Sequence, residues 1–96
     1  MFDFNSQPDN VQQLLDYAAM LHWNGRAQKA RLLRIQREHK RATSEMVDVA
    51  SAAGSFNAKG KGIECALMDL LGINKRDMWR EIDRRAIEMY GAYPTA

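Results

Sequence analysis

Positive charge is missing from the first quarter of this chain: residues 1–25 hold Asp3, Asp9 and Asp16 but no Lys or Arg. With no basic flank and no apolar stretch ahead of a cleavage site at the amino terminus, no secretory signal is expected. Cysteine is almost absent as well. The lone Cys65 has no partner for an internal disulfide, which suits a reducing, cytoplasmic setting. No apolar run approaches the roughly eighteen residues that a membrane span requires, so no membrane association is expected. The period-2 alternation of half-buried strands is missing at any useful length, which excludes a sheet-based fold.

Groups that do chemistry are just as scarce. His22, His39 and Cys65 are the strong nitrogen and sulfur ligands, and they fall on three predicted helices without i,i+3 or i,i+4 pairing, so no zinc site is expected. His39 lies on an apolar seam and reads as a partly buried polar residue, His22 as a cation near a helix end, and Cys65 as a small hydrophobe on a short apolar helix. A nucleophile needs a base and a group that orients it, and no Cys-His-acid set can be assembled. The stretch Gly54 to Gly62 (GSFNAKGKG) departs from a nucleotide-binding loop: five residues separate Gly54 from Gly60, Gly62 stands where Ser or Thr should follow Lys61, and no strand precedes it. Neither catalysis nor a cofactor is expected.

What is present is helical periodicity. Apolar residues recur at steps of three and four through most of the 96 residues, which predicts an all-α protein, a compact bundle of about four helices in one domain spanning residues 1–96. Ser6, Pro8 and Asp9 supply a start signal, so helix 1 is predicted from about Gln7 to Trp23. Asn24-Gly25 tolerates the left-handed conformation that ends helices and predicts a break and an antiparallel hairpin. A second helix should then run from about Arg26 to Ala53, with Gln28, Leu32, Ile35, His39, Ala42, Met46, Val49 and Ala53 along one seam. The glycines at 54, 60 and 62 predict a flexible basic loop. A third helix is predicted over about Ile63 to Leu71. A fourth follows the Gly72-Ile73 turn, with Asn74 as N-cap and Asp77 in its first turn, and ends near Tyr90-Gly91.

Charge is distributed unevenly. Arg26 to Arg41 contains seven of the fourteen basic residues against the single acid Glu38, so the net +2 conceals a steep local field. At about 100° per residue, Arg26, Lys29, Arg34, Arg37, Lys40 and Arg41 occupy an arc of about 140° nearly opposite the seam. Such a face suits the phosphates of DNA or structured RNA. The alternative is a solvated face partly neutralised by Asp9 and Asp16. Leu33 lies inside the arc, where a purely solvating surface needs no leucine. Lys59 and Lys61 are candidate phosphate contacts from the predicted loop.

Residues Ala66 to Arg85 (ALMDLLGINKRDMWREIDRR) read as an apolar helix, a Gly-Ile-Asn turn and a second helix with Met78 and Ile82 on its inner face. This segment resembles the C-terminal helix-turn-helix of the Fis-type DNA-binding family. The resemblance implies that Lys75, Arg76, Trp79 and Arg80 face groove and phosphates, while Gly72, Ile73, Met78 and Ile82 join the helices. The other reading is a helical hairpin that completes the core, with Glu81–Arg85 and Arg84–Glu88 as i,i+4 pairs on an exposed helix.

Three functional expectations follow. The leading one is a non-catalytic accessory or regulatory protein that engages nucleic acid or a nucleoprotein through the basic helix. The second is a protein-interaction module, an inhibitor or adaptor of a host enzyme encoded by a phage or mobile element, anchored by Leu33, Trp79 and the methionines. The third is a homodimer zipped along the seam.

Overall fold

Gly25 does not stop a helix in this protein. In the computed structural model, which describes residues 2–39 and 43–95, the chain forms a short 3-10 turn (Phe4–Ser6) and three α-helices. These are α1 (Asp9–Glu38), α2 (Ser44–Leu71) and α3 (Lys75–Tyr90), with no strand among the described residues. The all-α class holds, with three helices in place of about four. The expected break at Asn24-Gly25 and the expected loop over residues 54–62 are both helix interior.

Packing explains both corrections. Gly25 is buried in α1, where a Cβ would sit 2.6 Å from Oδ1 of Asn57 in α2. Gly60 in α2 is buried facing Leu21 of α1, where an added Cβ would lie 3.5 Å from the Leu21 Cβ, an ordinary contact distance. Gly25 marks where the two long helices approach closely, and burial outweighs the roughly 1 kcal/mol that a mid-helix glycine costs. Asn24 joins in by donating from its side-chain amide to the carbonyl of Met20, 2.8 Å away, so it supports the helix it was expected to end.

The reversal occurs later. His39 closes α1 in an extended conformation and is exposed, not partly buried on a seam as expected. Thr43 opens α2, its hydroxyl accepting from the backbone N–H of Met46 at 3.2 Å, with Glu45 in the first turn favouring the positive helix end. The predicted seam is therefore split between two helices that face each other. Ile35 with Leu32 beside it comes from α1, and Met46 and Val49 come from α2, together forming a small core at the far end of the hairpin. Ala42 of that seam lies outside the described residues.

Two further corrections are local. Helix α1 begins at Asp9 with Pro8 as its N-cap, while the hydroxyl of Ser6 donates to the carbonyl of Asp3 in the preceding turn. Cys65 is exposed on the long α2, so it is not acting as a buried small hydrophobe.

The second turn matches its sequence. Gly72 adopts the left-handed conformation (φ 66°), and the side chain of Asn74 accepts from the N–H of Asp77 at 2.8 Å. Helix α3 ends at Tyr90, ahead of Gly91. It packs mainly on the N-terminal half of α1 and touches α2 little. Val11, Leu15, Ala18 and Ala19 of α1, Leu67 of α2, and Met78, Ile82 and Ala86 of α3 make the main core. The molecule is an elongated hairpin, 49 Å in its longest dimension, braced by α3 along one half only.

Candidate nucleic-acid interface

The face of α1 that carries Leu15 and Ala19 under α3 continues past the end of α3, and there its residues become cationic. Leu15 and Ala19 lie within about 30° of the direction of Arg26 around the helix, on the same side as Lys29, Leu33, Arg34 and Arg37. All five of those residues are exposed. None of the four cations has a carboxylate within 4.0 Å among the described residues. The basic residue in this stretch that is paired, Arg31, meets Glu45 at 2.9 Å and lies outside the arc.

Neutralisation from helix 1 does not occur. Asp16 is engaged by Arg85 at 2.8 Å, and Asp9 sits about 25 Å back along the axis of the same continuous helix. Arg26 with Lys29 and Arg34 with Arg37 are like-charge i,i+3 pairs. Each such pair costs a helix about 0.2–0.5 kcal/mol, a strain that a bound polyanion relieves. Lys40 and Arg41, placed on the arc by the sequence, lie outside the described residues.

Beside this arc runs a groove. One cavity of about 260 Å³ is lined by His22, Phe56, Asn57, Gly60, Lys61, Glu64 and Trp79. Another of about 480 Å³ is lined by His22, Gly25, Arg26, Lys29, Leu33, Asn57 and Pro94 among others. His22 and Asn57 belong to both, so the two cavities lie side by side with these side chains between them. Their walls come from all three helices and the C-terminal tail, with Gly25 and Gly60 among the lining residues.

A polar network fixes the junction. The Nε2 of His22 is 3.1 Å from Oδ1 of Asp83, and the phenol of Tyr93 donates to the same oxygen at 2.6 Å. The Tyr93 ring lies edge-on to His22 and carries the Arg26 guanidinium 4.0 Å from its centre. Burial, followed by the hydrogen bond to Asp83, pushes the Tyr93 phenol well above the ordinary tyrosine range. Glu64 is the acid in the groove; burial raises its pKa, with the His22 charge acting in the opposite direction.

The remaining sequence candidates divide. Lys61 lines the groove, and Lys75 holds its ammonium 4.5 Å over the exposed Trp79 ring. Lys59 is also exposed, but on a helix a separation of two residues turns it about 160° away from Lys61, so the two do not act as one loop-borne pair. Arg76 is exposed on α3, and Arg80 lines a separate cavity with Phe2, Phe4 and Arg84. Of the segment that resembles a helix-turn-helix, Met78 and Ile82 are buried and Ile73 packs at the edge of the main core.

His22, Asn57, Glu64, Asp83 and Tyr93 were not sequence candidates for the interface, because their convergence depends on helix crossings that no local spacing encodes. Asn57 and Glu64 could have been found only by treating Gly60 as a helix-contact residue. Among the described residues no three His, Cys, Asp or Glu side chains converge as metal ligands, and no helix is long and apolar enough to cross a membrane. Comparison with protein-family models, with curated proteins and with solved structures finds no match to this chain.

Proposed function

We propose that this protein is a non-catalytic accessory or regulatory factor that binds nucleic acid through the outer face of α1. The observation that carries this reading is the run of exposed cations without ion-pair partners among the described residues, Arg26, Lys29, Arg34 and Arg37, where the covering helix α3 ends. Such a surface gains affinity by releasing counterions from phosphates. With four phosphates engaged, the slope of log affinity against log salt is about −3, and neutralising two cations should roughly halve it.

Fluorescence anisotropy of labelled DNA and RNA, titrated at low and physiological salt, tests the reading. Saturable, salt-sensitive binding that is lost in the double variant Arg34→Glu, Arg37→Glu supports it. Unchanged affinity in that variant removes the proposed face.

A second reading has its own observation. Leu33, Val47, Leu70 and Trp79 are large apolar side chains 43–66% exposed, the kind of anchor a protein partner buries. Binding carried by these anchors would change little with ionic strength, and that separates the two readings.

A further inference from the structure

We infer that the groove beside the cationic arc accepts a single strand of nucleic acid, with one unpaired base stacked on Trp79 and the flanking phosphates held by Lys61 on one side and by Arg26 and Lys29 on the other. This rests on the nucleic-acid reading above and names the strand state that this site selects.

The geometry of the recess favours a single strand. A duplex can lay its phosphates along the outer arc, but its bases are paired inside a cylinder and cannot enter the depression between α1, α2 and α3. An unpaired base can. The indole of Trp79 offers a π surface, 49% of the residue being exposed, at the mouth of the cavity it shares with His22, Asn57, Lys61 and Glu64. Aromatic stacking beside a cationic track is the usual physical basis of single-strand binding. The Lys75 ammonium covers one face of the ring, 4.5 Å from its centre, so a base stacked on that face displaces it and keeps its positive charge close by.

The floor supplies partners for a base edge. Asn57 presents an amide that can both donate and accept. Glu64, 8% exposed, presents a carboxyl that can accept from base N–H groups. Glu64 also engages the Trp79 side chain and lies near the charges of His22 and Lys61, so the carboxyl links the stacking residue to the floor of the cavity. His22 stands where the two cavities meet, held by Asp83. The strand therefore passes from Trp79 and Lys61, over His22 and Asn57, to Arg26 and Lys29.

The test compares a short single-stranded oligonucleotide, as DNA and as RNA, with its own duplex, reading anisotropy and tryptophan emission of the unmodified protein at low salt. The expected result is tighter binding of the single strand, by about tenfold or more, with quenching of emission. In Trp79→Leu that quenching should disappear, single-strand affinity should fall roughly 5- to 100-fold, and duplex binding should hardly change. Circular dichroism of the variant checks that its helices persist, and the emission measurement on unmodified protein does not depend on the variant folding. Duplex binding as tight as single-strand binding, or a Trp79→Leu protein that binds the strand as tightly as the unmodified protein, overturns the inference while leaving the cationic face intact. No binding of any nucleic acid overturns both.

Discussion

Arg85 shows how individual residues tie α3 to α1. Its guanidinium is nearly buried and donates to Glu81 at 2.7 Å, to Asp16 at 2.8 Å and to Gln12 at 2.6 Å, so one side chain from α3 meets two from α1. The i,i+4 partnership with Glu81 was legible from spacing. Its burial was not, because it depends on where α1 lies. Burial pushes the Glu81 carboxyl up, but hydrogen bonds and charge from Arg84 and Arg85 together outweigh it and hold its pKa below the ordinary value. A depressed carboxyl stabilises the fold above its unfolded pKa of about 4.5, and that contribution is lost as pH falls through the lower folded value. Glu81→Ala should therefore destabilise the protein by about 3 kcal/mol at neutral pH, since Arg85 then loses its most buried counter-charge. The difference from the unmodified protein should shrink in acid, which urea titrations at neutral and low pH would measure. Arg85→Met should cost less, because Glu81 keeps Arg84, Asp16 reaches solvent, and the other partner, Gln12, is uncharged.

At the scale of the element, the informative misreading concerns glycine. Stop signals and helix-contact signals use the same residue, and sequence alone does not separate them. Gly72, with Asn74 two residues on, was read correctly because an N-cap side chain and an acid in the next turn confirm the break. Gly25 had no such confirmation downstream, whereas Thr43, Ser44 and Glu45 ahead of the buried Met46 were the true start signal. The apolar periodicity that predicts one long helix over 26–53 spans the end of α1 at Glu38 and the start of α2 at Ser44, because residues on facing sides of a hairpin can keep the same three-four step. The helical state of residues 54–62 makes a prediction that a loop would not. An added Cβ at Gly54 or Gly62 meets nothing within 4 Å. Gly54→Ala and Gly62→Ala should each stabilise the protein by about 0.5–1 kcal/mol, seen as a rise in Tm. Gly25→Val should lower Tm, because its larger side chain would force Asn57 and Phe56 away and part α1 from α2.

At the scale of the whole molecule, the all-helical class and the basic arc were readable from periodicity and charge, whereas the groove was not, since it exists only once three helices and the tail converge. The feature with the widest consequence is that α3 braces one half of the hairpin. The braced half has a core drawn from all three helices, while among the described residues the other end has a small core of Ile35, Met46, Val49 and Leu32 with the exposed Arg31–Glu45 pair beside it. Stability is therefore graded along the long axis. Native-state hydrogen exchange should show the amides around Ile35 and Met46 exchanging through local opening, and those around Leu15, Leu67 and Ile82 only through global unfolding. The cations Arg34 and Arg37 sit toward the weakly held end. A ligand that bridges them to the braced half would clamp the two regions together, so part of its binding free energy would be spent on suppressing local opening around Ile35 and Met46. Slowed exchange at residues the ligand never touches would then be a record of its grip.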